Sequence, residues 1–501
     1  MKTIAKINPE LEYQNAKKLI ELSSKQILDQ DNLSSLDSSV DNLITTARVL
    51  IEREERRRGH KKPPHLNTPK GREKGETRED FRKLPSERYP DLNVEEKIVK
   101  AEHPPTCPCC HREMKESGLY DVSEKIEVIP KQYFIERIRR PKYNCSSCHG
   151  SMANTSPVPS IVPTSNYGDS LIIDVALSKF CDLNPIERYV QIAARNESSF
   201  ELPPQSLIGC THHLANLFSS TYLKIKKEIL LKSIIQADES PHRMLEGDDR
   251  QSWYLWGFFT SNACYFEAHD TRSGDIAFNF LKDSQVKILL TDGYGGYKKT
   301  IKDLKEKIGL EVQEAYCNAH AFRYFEEASI TWKEEAEVFL KLYKEIYDLE
   351  RERKKFSKEI SIEKHLEYRF KMISLFEEIK KNCEERRESV MPASLLLKAF
   401  DYFLKHYRGL TLCTTNIEVS LDNNQLEGHI RPHAVGKKTW LGTHSKRGAL
   451  TAAVLFTIVE TCKQCKVNPR AYVPWAVKRL LRGEEPATPH EYSLIASVET
   501  Q

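Results

Sequence analysis

Residues 286–297 read VKILLTDGYGGY: an apolar run that stops on Asp292 and passes at once into glycines. A short, wholly apolar run bounded by turn residues reads as a strand buried on both faces. Its last residue has two uses. Asp292 can serve the turn, because an Asx side chain accepts hydrogen bonds from the backbone just beyond it. It can also hold a cation at the carboxyl edge of a sheet, where open α/β sheets place their chemistry.

The flanking segments supply a sheet for that edge. SIIQADESP (233–241) is a short strand ending in Asp238. QSWYLWGFFT (251–260) and CYFEAHDT (264–271) alternate and carry aromatics, as antiparallel strands do. SGDIAFNFLKD (273–283) has a cap and a helical face, and EVQEAYCNAHAFRYFEEA (311–328) gives another strand and helix. The predicted order is β-β-β-α-β-α-β-α. In such a sheet the first and fourth strands can lie side by side and parallel, so Asp238 and Asp292 emerge at adjacent carboxyl ends. Two carboxylates held together repel unless a divalent cation neutralises them. Mg²⁺, which takes oxygen ligands and keeps waters, suits such a place.

A third carboxylate completes the set. Residues 331–408 read as a helical insertion, with Trp332, Ala336, Phe339, Tyr343 and Ile346 marking one helix and Leu366, Phe370, Ile373 and Ile379 another. Then comes LDNNQLEGHIRPHAVGKKTWLG (421–442), where Asp422 or Asn423 can cap a helix and Glu427 sits about one turn in. Arg431, Lys437 and Lys438 follow and can meet phosphates. Each acid alone reads equally as a cap, a turn or a solvated charge; their joint arrangement points to a metal-dependent site.

Cys107 and Cys110 form one CxxC and Cys145 and Cys148 a second, with 34 residues between the pairs. Each pair can offer two thiolates to one tetrahedral zinc. The strand-like KIEVIP (125–130) and QYFIERIRRPKY (132–143) between them make this a zinc ribbon. Cys109, His111 and His149 can each substitute for a neighbouring ligand. Arg137, Arg139, Arg140 and Lys142 make the second hairpin basic, so the zinc serves structure alone or also a DNA-contacting ribbon. A further CxxC, Cys462 with Cys465, has no partner pair and reads as helix packing.

A chain of 501 residues is too long for one core. Charged residues make up 30%, and mean hydropathy is −0.56. A net charge of +4 and a pI near 8.3 permit nucleic-acid binding without requiring it. No charged n-region followed by an apolar run opens the sequence, so secretion is not expected. The longest apolar stretch, ALTAAVLFTIV (449–459), is too short to span a bilayer as a helix, so no membrane partner is expected. The thirteen cysteines then read as thiols or metal ligands.

The expected plan runs as follows. Residues 1–58 are helical, with Leu36, Val40, Leu43, Ala47, Leu50 and Ile51 forming a stripe for pairing or ordinary packing. Residues 59–95 are a charged linker, either a solvated tether or a basic arm on DNA. The zinc ribbon spans 96–155. Residues 165–230 are helical, either a helix-turn-helix or a plain helical domain. The α/β core occupies 231–330 and 409–450 around the insertion at 331–408, and a helical tail covers 451–501.

Taken in order, CPCC (107–110), CSSC (145–148), ADESP (237–241), LLTDGYGGY (289–297), YCNAHAFRYF (316–325), DNNQLEGHIRPHAVGKKTWL (422–441) and GALTAAVLFTIVETCKQCKVNPRAYV (448–473) resemble transposases of the insertion sequence 66 family, from about residue 100 to near the C-terminus. The resemblance implies an RNase H-like mixed sheet carrying a DDE triad of Asp238, Asp292 and Glu427. It implies action on the terminal inverted repeats of a mobile element, with metal-dependent cleavage and strand transfer. Two Mg²⁺ or Mn²⁺ ions would share Asp238, with Asp292 and Glu427 holding one each. His320 and Arg323 would face the site, for phosphate contact or leaving-group assistance, or as packing. Trp440 would stack on an unpaired base or lie in the core. The implied partners are double-stranded end and target DNA, further copies of the chain and accessory proteins of the same element, in a bacterial cytoplasm close to the nucleoid. Gly428 stands where the family usually has Arg, and Asn318 where it tends to have Trp. A DNA-binding regulator that has lost catalysis and an RNase H-like nuclease without strand transfer are the rival readings.

Overall fold

The structure, a computed structural model, describes residues 84–90, 92–98, 109, 111–113, 123–128, 131–143, 153–154, 156–196, 201–245, 252–355 and 361–499. The helix read at 1–58, most of the linker, and Cys107, Cys110, Cys145, Cys148 and His149 lie outside the described residues. The chain divides into two units, 60–137 and the remainder. In the smaller unit the Ser86 amide and hydroxyl both donate to Glu124, at 2.8 Å each. In the larger unit Lys142–Tyr143 pairs antiparallel with Ala153–Asn154.

Four helices lead into the sheet: α1 (Asp169–Phe180), α2 (Ile186–Asn196), α3 (Pro204–Leu217) and α4 (Ser219–Leu230). Pro204 opens α3, where its missing N–H costs nothing. Strands β1 (Ile234–Arg243), β2 (Ser252–Phe259) and β3 (Cys264–His269) then form an antiparallel meander. Helix α5 (Gly274–Leu281), β4 (Ile288–Thr291), α6 (Gly295–Ile308), β5 (Gln313–Tyr316) and α7 (Asn318–Ala328) follow. The sheet order is β3-β2-β1-β4-β5, with β1, β4 and β5 parallel. The first and fourth strands are thus neighbours, as the alternating pattern predicts.

Strand β1 departs from its reading. It does not end at Asp238 but continues to Arg243, pairing with β2 throughout. Its parallel pairing with β4 covers only Ile234–Gln236 against Ile288–Leu290. Beyond Gln236 one edge of β1 is free of β4, and there Pro241 is tolerated.

The insertion comprises α8 (Lys333–Lys355), α9 (Ile362–Arg386) and α10 (Leu395–Leu410). The α8 stripe faces inward as its spacing predicts. The inward face of α9 is instead His365, Arg369, Met372, Phe376, Ile379 and Cys383, which leaves Phe370 exposed. Arg369 is fully buried because its guanidinium pairs with Glu350 and donates to the Cys413 and Val419 carbonyls.

Helix α11 (Asn424–Trp440) returns to the sheet, followed by α12 (Lys446–Gln464), α13 (Pro469–Leu480) and α14 (Pro489–Glu499). Helix α12 is no peripheral tail: its apolar run is buried nearly all round. It covers the open edge of β3, where Thr457 Oγ1 accepts from the Phe266 amide and Thr461 Oγ1 from that of Cys264. Two apolar cores flank the sheet. One joins α1, α3, α4, α12 and α13 to one face; the other joins α7–α10 to β4 and β5.

Candidate active site

Alternation along β1 decides where its acids point. Ile235 and Ala237 belong to the first core, and Ile234 packs against the second. Asp238 therefore shares the face of Ile234 and Gln236, and Glu239 turns to the opposite side. Glu239 is held there by Arg272 Nη2 at 2.6 Å and by the Tyr297 hydroxyl at 2.6 Å. Burial raises the Glu239 carboxyl in spite of these partners. Arg272 also lies over the Tyr294 ring, 4.0 Å from its centroid.

Asp292 closes β4. Its Oδ1 accepts from the Tyr294 amide at 2.8 Å, and its carbonyl accepts from the Tyr402 hydroxyl at 2.9 Å. The turn role that the sequence offers is therefore filled by one carboxylate oxygen. Gly293 has φ +88°, which lets the chain bend from β4 into α6.

Glu427 lies in the first turn of α11, with its amide donating to the Asn423 carbonyl at 2.8 Å. The helix is tied at both ends. At its start, Asn318 is fully buried; its backbone amide bonds the Leu421 carbonyl, and its side-chain amide donates to the carbonyls of Leu410 and Leu421. Cys317 Sγ donates to Asn423 Oδ1 and accepts from the Asn423 amide. Further along, His433 Nε2 lies 3.0 Å from His242 Nδ1 on β1, and Lys437 Nζ donates to the Pro241 carbonyl at 2.6 Å. His242 Nε2 meets Thr443 Oγ1 at 2.8 Å. Burial holds His242 down to about 4 and His433 well below its usual value, so both rings are neutral.

The three acids come from the middle of β1, the end of β4 and the start of α11. The Asp238 carboxyl is held well above the usual carboxylate range, first by burial and then by the charges of Glu239, Asp292 and Glu427. Such a carboxyl accepts a cation in place of a proton.

Arg323 Nη2 lies 2.6 Å from Glu427 Oε2, and His320 Nε2 lies 3.8 Å from Glu427 Oε1. One ligand atom each of Cys317, His320 and Glu427 fall within 4.8 Å of one another. Arg431 and Lys438 are exposed, while Lys437 is engaged with β1. Trp440 is half-buried against the first core and folded over Gly436, with Lys179 Nζ 5.4 Å from its ring. Arg137, Arg139, Arg140 and Lys142 are exposed. Cys462 is buried, and Cys465 donates to the Asn262 carbonyl, consistent with helix packing.

Sequence reading passed over Glu239, Cys317 and the His242–His433 pair, and offered Asn423 only as a helix cap. Only Cys317 carried a signal, since Cys317 and His320 straddle a strand end and the first helical turn beyond it.

Residues 164–451 match the model described as "Transposase IS66 family". The chain belongs to the IS66 family of transposases. Residues 104–149 match a second model, the zinc-finger binding domain of transposase IS66. Membership makes the chain a transposase-type enzyme with a zinc-finger module. The chain is similar to two proteins of Sinorhizobium fredii described as uncharacterized. One, y4hP, is 24% identical over 78% of this chain and 73% of its own length. The other, y4jD, is 22% identical over 75% of each. Among the described residues no helix is long and apolar enough to cross a membrane.

Proposed function

We propose that this chain is a DNA transposase that binds the terminal inverted repeats of its element and cuts and joins DNA strands through Asp238, Asp292 and Glu427. What supports the reading is the placement of Asp238 on a strand whose parallel neighbour leads into Asp292, with its carboxyl raised by burial and by the charges of Glu239, Asp292 and Glu427, a burden that a divalent cation would relieve. The sheet order β3-β2-β1-β4-β5, antiparallel then parallel, supports an RNase H-like assignment.

Mg²⁺ or Mn²⁺ held by these acids would activate the attacking oxygen and neutralise charge at the scissile phosphate. Asp238 is the shared ligand, flanked by Asp292 and Glu427. Arg323 orients Glu427 through its free carboxylate edge and presents a cation to a phosphate. The exposed Arg431 and Lys438 track the DNA backbone from α11, and Arg137, Arg139, Arg140 and Lys142 do so from the zinc module. Two ends must be gripped at once, which calls for more than one copy of the chain.

The test is cleavage of labelled inverted-repeat DNA in Mg²⁺ by the parent and by Asp292→Asn. A loss of about 10³-fold or more is expected; activity near the parent level removes Asp292 from the mechanism. Joining of a pre-nicked end separates a transposase from a nuclease. For the zinc module, the purified full chain should carry one zinc equivalent beyond that of a Cys145→Ser variant.

A further inference from the structure

Glu427 has two close neighbours that can ligate a metal, Cys317 and His320. Cys317 Sγ, His320 and Glu427 place ligand atoms within 4.8 Å of one another, and His320 Nε2 is 3.8 Å from Glu427 Oε1. Three protein ligands of sulfur, nitrogen and oxygen with one open position make the donor set of an accessible zinc site.

The surrounding atoms favour a cation there. Glu427 Oε1 is buried and accepts no hydrogen bond among the described residues, while Oε2 is already taken by Arg323. A buried carboxylate oxygen left in that state is costly. Arg323 Nη1 lies 3.5 Å from His320 Nε2, and a guanidinium can only donate. A cation bound at His320 Nε2 would take over the lone pair that this long contact uses, with Arg323 keeping its bond to Glu427 Oε2. Asn423 is fully buried against Cys317, and its Nδ2 has no partner. Turned over, that amide donates to a thiolate at Cys317, alongside the Asn423 backbone amide already aimed at the sulfur.

We propose that Cys317, His320 and Glu427 bind a thiophilic divalent cation of the zinc type, and that this holds Glu427 out of the Mg²⁺ site. Binding replaces the thiol proton of Cys317, which passes to solvent. The open position is filled by water. The inhibitory consequence rests on the DDE reading; the binding does not. A site that takes Zn²⁺ through sulfur and Mg²⁺ through oxygen makes one carboxylate the arbiter between a resting and an active state.

The experiment uses the full chain with its zinc module filled with Zn²⁺ and the excess removed. Co²⁺ is then added as probe, and its visible and thiolate-to-cobalt absorption is recorded. The parent should show a saturable band at about one equivalent, with one proton released. Cys317→Ser should lose the thiolate band, and His320→Gln should weaken binding at least tenfold. A Cys107→Ser variant should keep the band, which separates it from the zinc module. No band in the parent, or an identical band in both Cys317→Ser and His320→Gln, overturns the site. In Mg²⁺ cleavage assays, micromolar Zn²⁺ should inhibit the parent and spare His320→Gln in proportion to its weakened binding. Equal inhibition of both overturns the regulatory role. If no variant cleaves DNA in Mg²⁺ while the cobalt band is present, the DDE reading fails and the cation site stands.

Discussion

Arg323 Nη2 and Glu427 Oε2 meet at 2.6 Å across 104 residues of sequence, joining the second turn of α7 to the first turn of α11. The pair is about one-third exposed, so its value lies in orientation more than in stability. The guanidinium also competes with any divalent cation for the Glu427 charge. Arg323→Gln should therefore lower the Mg²⁺ concentration for half-maximal cleavage by about threefold, while maximal activity falls because Glu427 is less well aimed. Mg²⁺ titration of cleavage checks both; an unchanged midpoint removes the competition.

Asp238 is a site where function and stability oppose each other. Its folded carboxyl titrates above the unfolded value, so its stabilising contribution is present at low pH and is lost as pH rises through the folded value. Asp238→Asn removes that burden. At pH 7 without divalent ions the variant should melt at a higher temperature than the parent, yet show no cleavage. Added Mg²⁺ should raise the parent melting temperature and leave the variant unmoved.

The buried histidines give the opposite sign. His212, His242 and His406 are each held down to about 4, mainly by burial. The unfolded chain binds more protons between pH 6.5 and 4, so stability is full above pH 6.5 and falls towards pH 4. His242→Asn should flatten part of that slope in melting curves taken across this window. A slope identical to the parent would falsify the burial argument for His242.

Gly428 occupies a helix interior with open space where a Cβ would stand. Pro432 one turn on has no N–H for the Gly428 carbonyl, so the helix is doubly weakened there. Gly428→Ala should stabilise by about 0.5–1 kcal/mol. Gly428→Arg should also be accommodated and should steepen the salt dependence of DNA binding. Chemical denaturation and binding across salt concentrations test the two variants.

Asn318 is the fully buried clamp on the segment before α11. Asn318→Ala leaves two buried carbonyls with fewer donors and should cost about 1–3 kcal/mol. Because the segment leads to Glu427, cleavage should fall further than the melting temperature alone explains.

Local chemistry made much of this protein legible from its sequence. Alternating aromatics gave β2 and β3, the wholly apolar 286–291 gave β4, and the α/β alternation put β1 beside β4. These follow from periods of two and 3.6 residues, which each segment carries by itself. The paired CxxC motifs and the family motifs were legible for the same reason, since they are compact and ordered along the chain. Tertiary structure alone decided the rest. Arg369 reads as a surface residue until Glu350 and two carbonyls surround it, so the α9 face was misread by one position. Helix α12 looked terminal because nothing local shows that it covers the β3 edge. Helix α11 takes its place only because Cys317 and Asn318 at one end and His242 and Pro241 at the other pin it down, and such contacts between distant segments leave no periodic trace in the sequence.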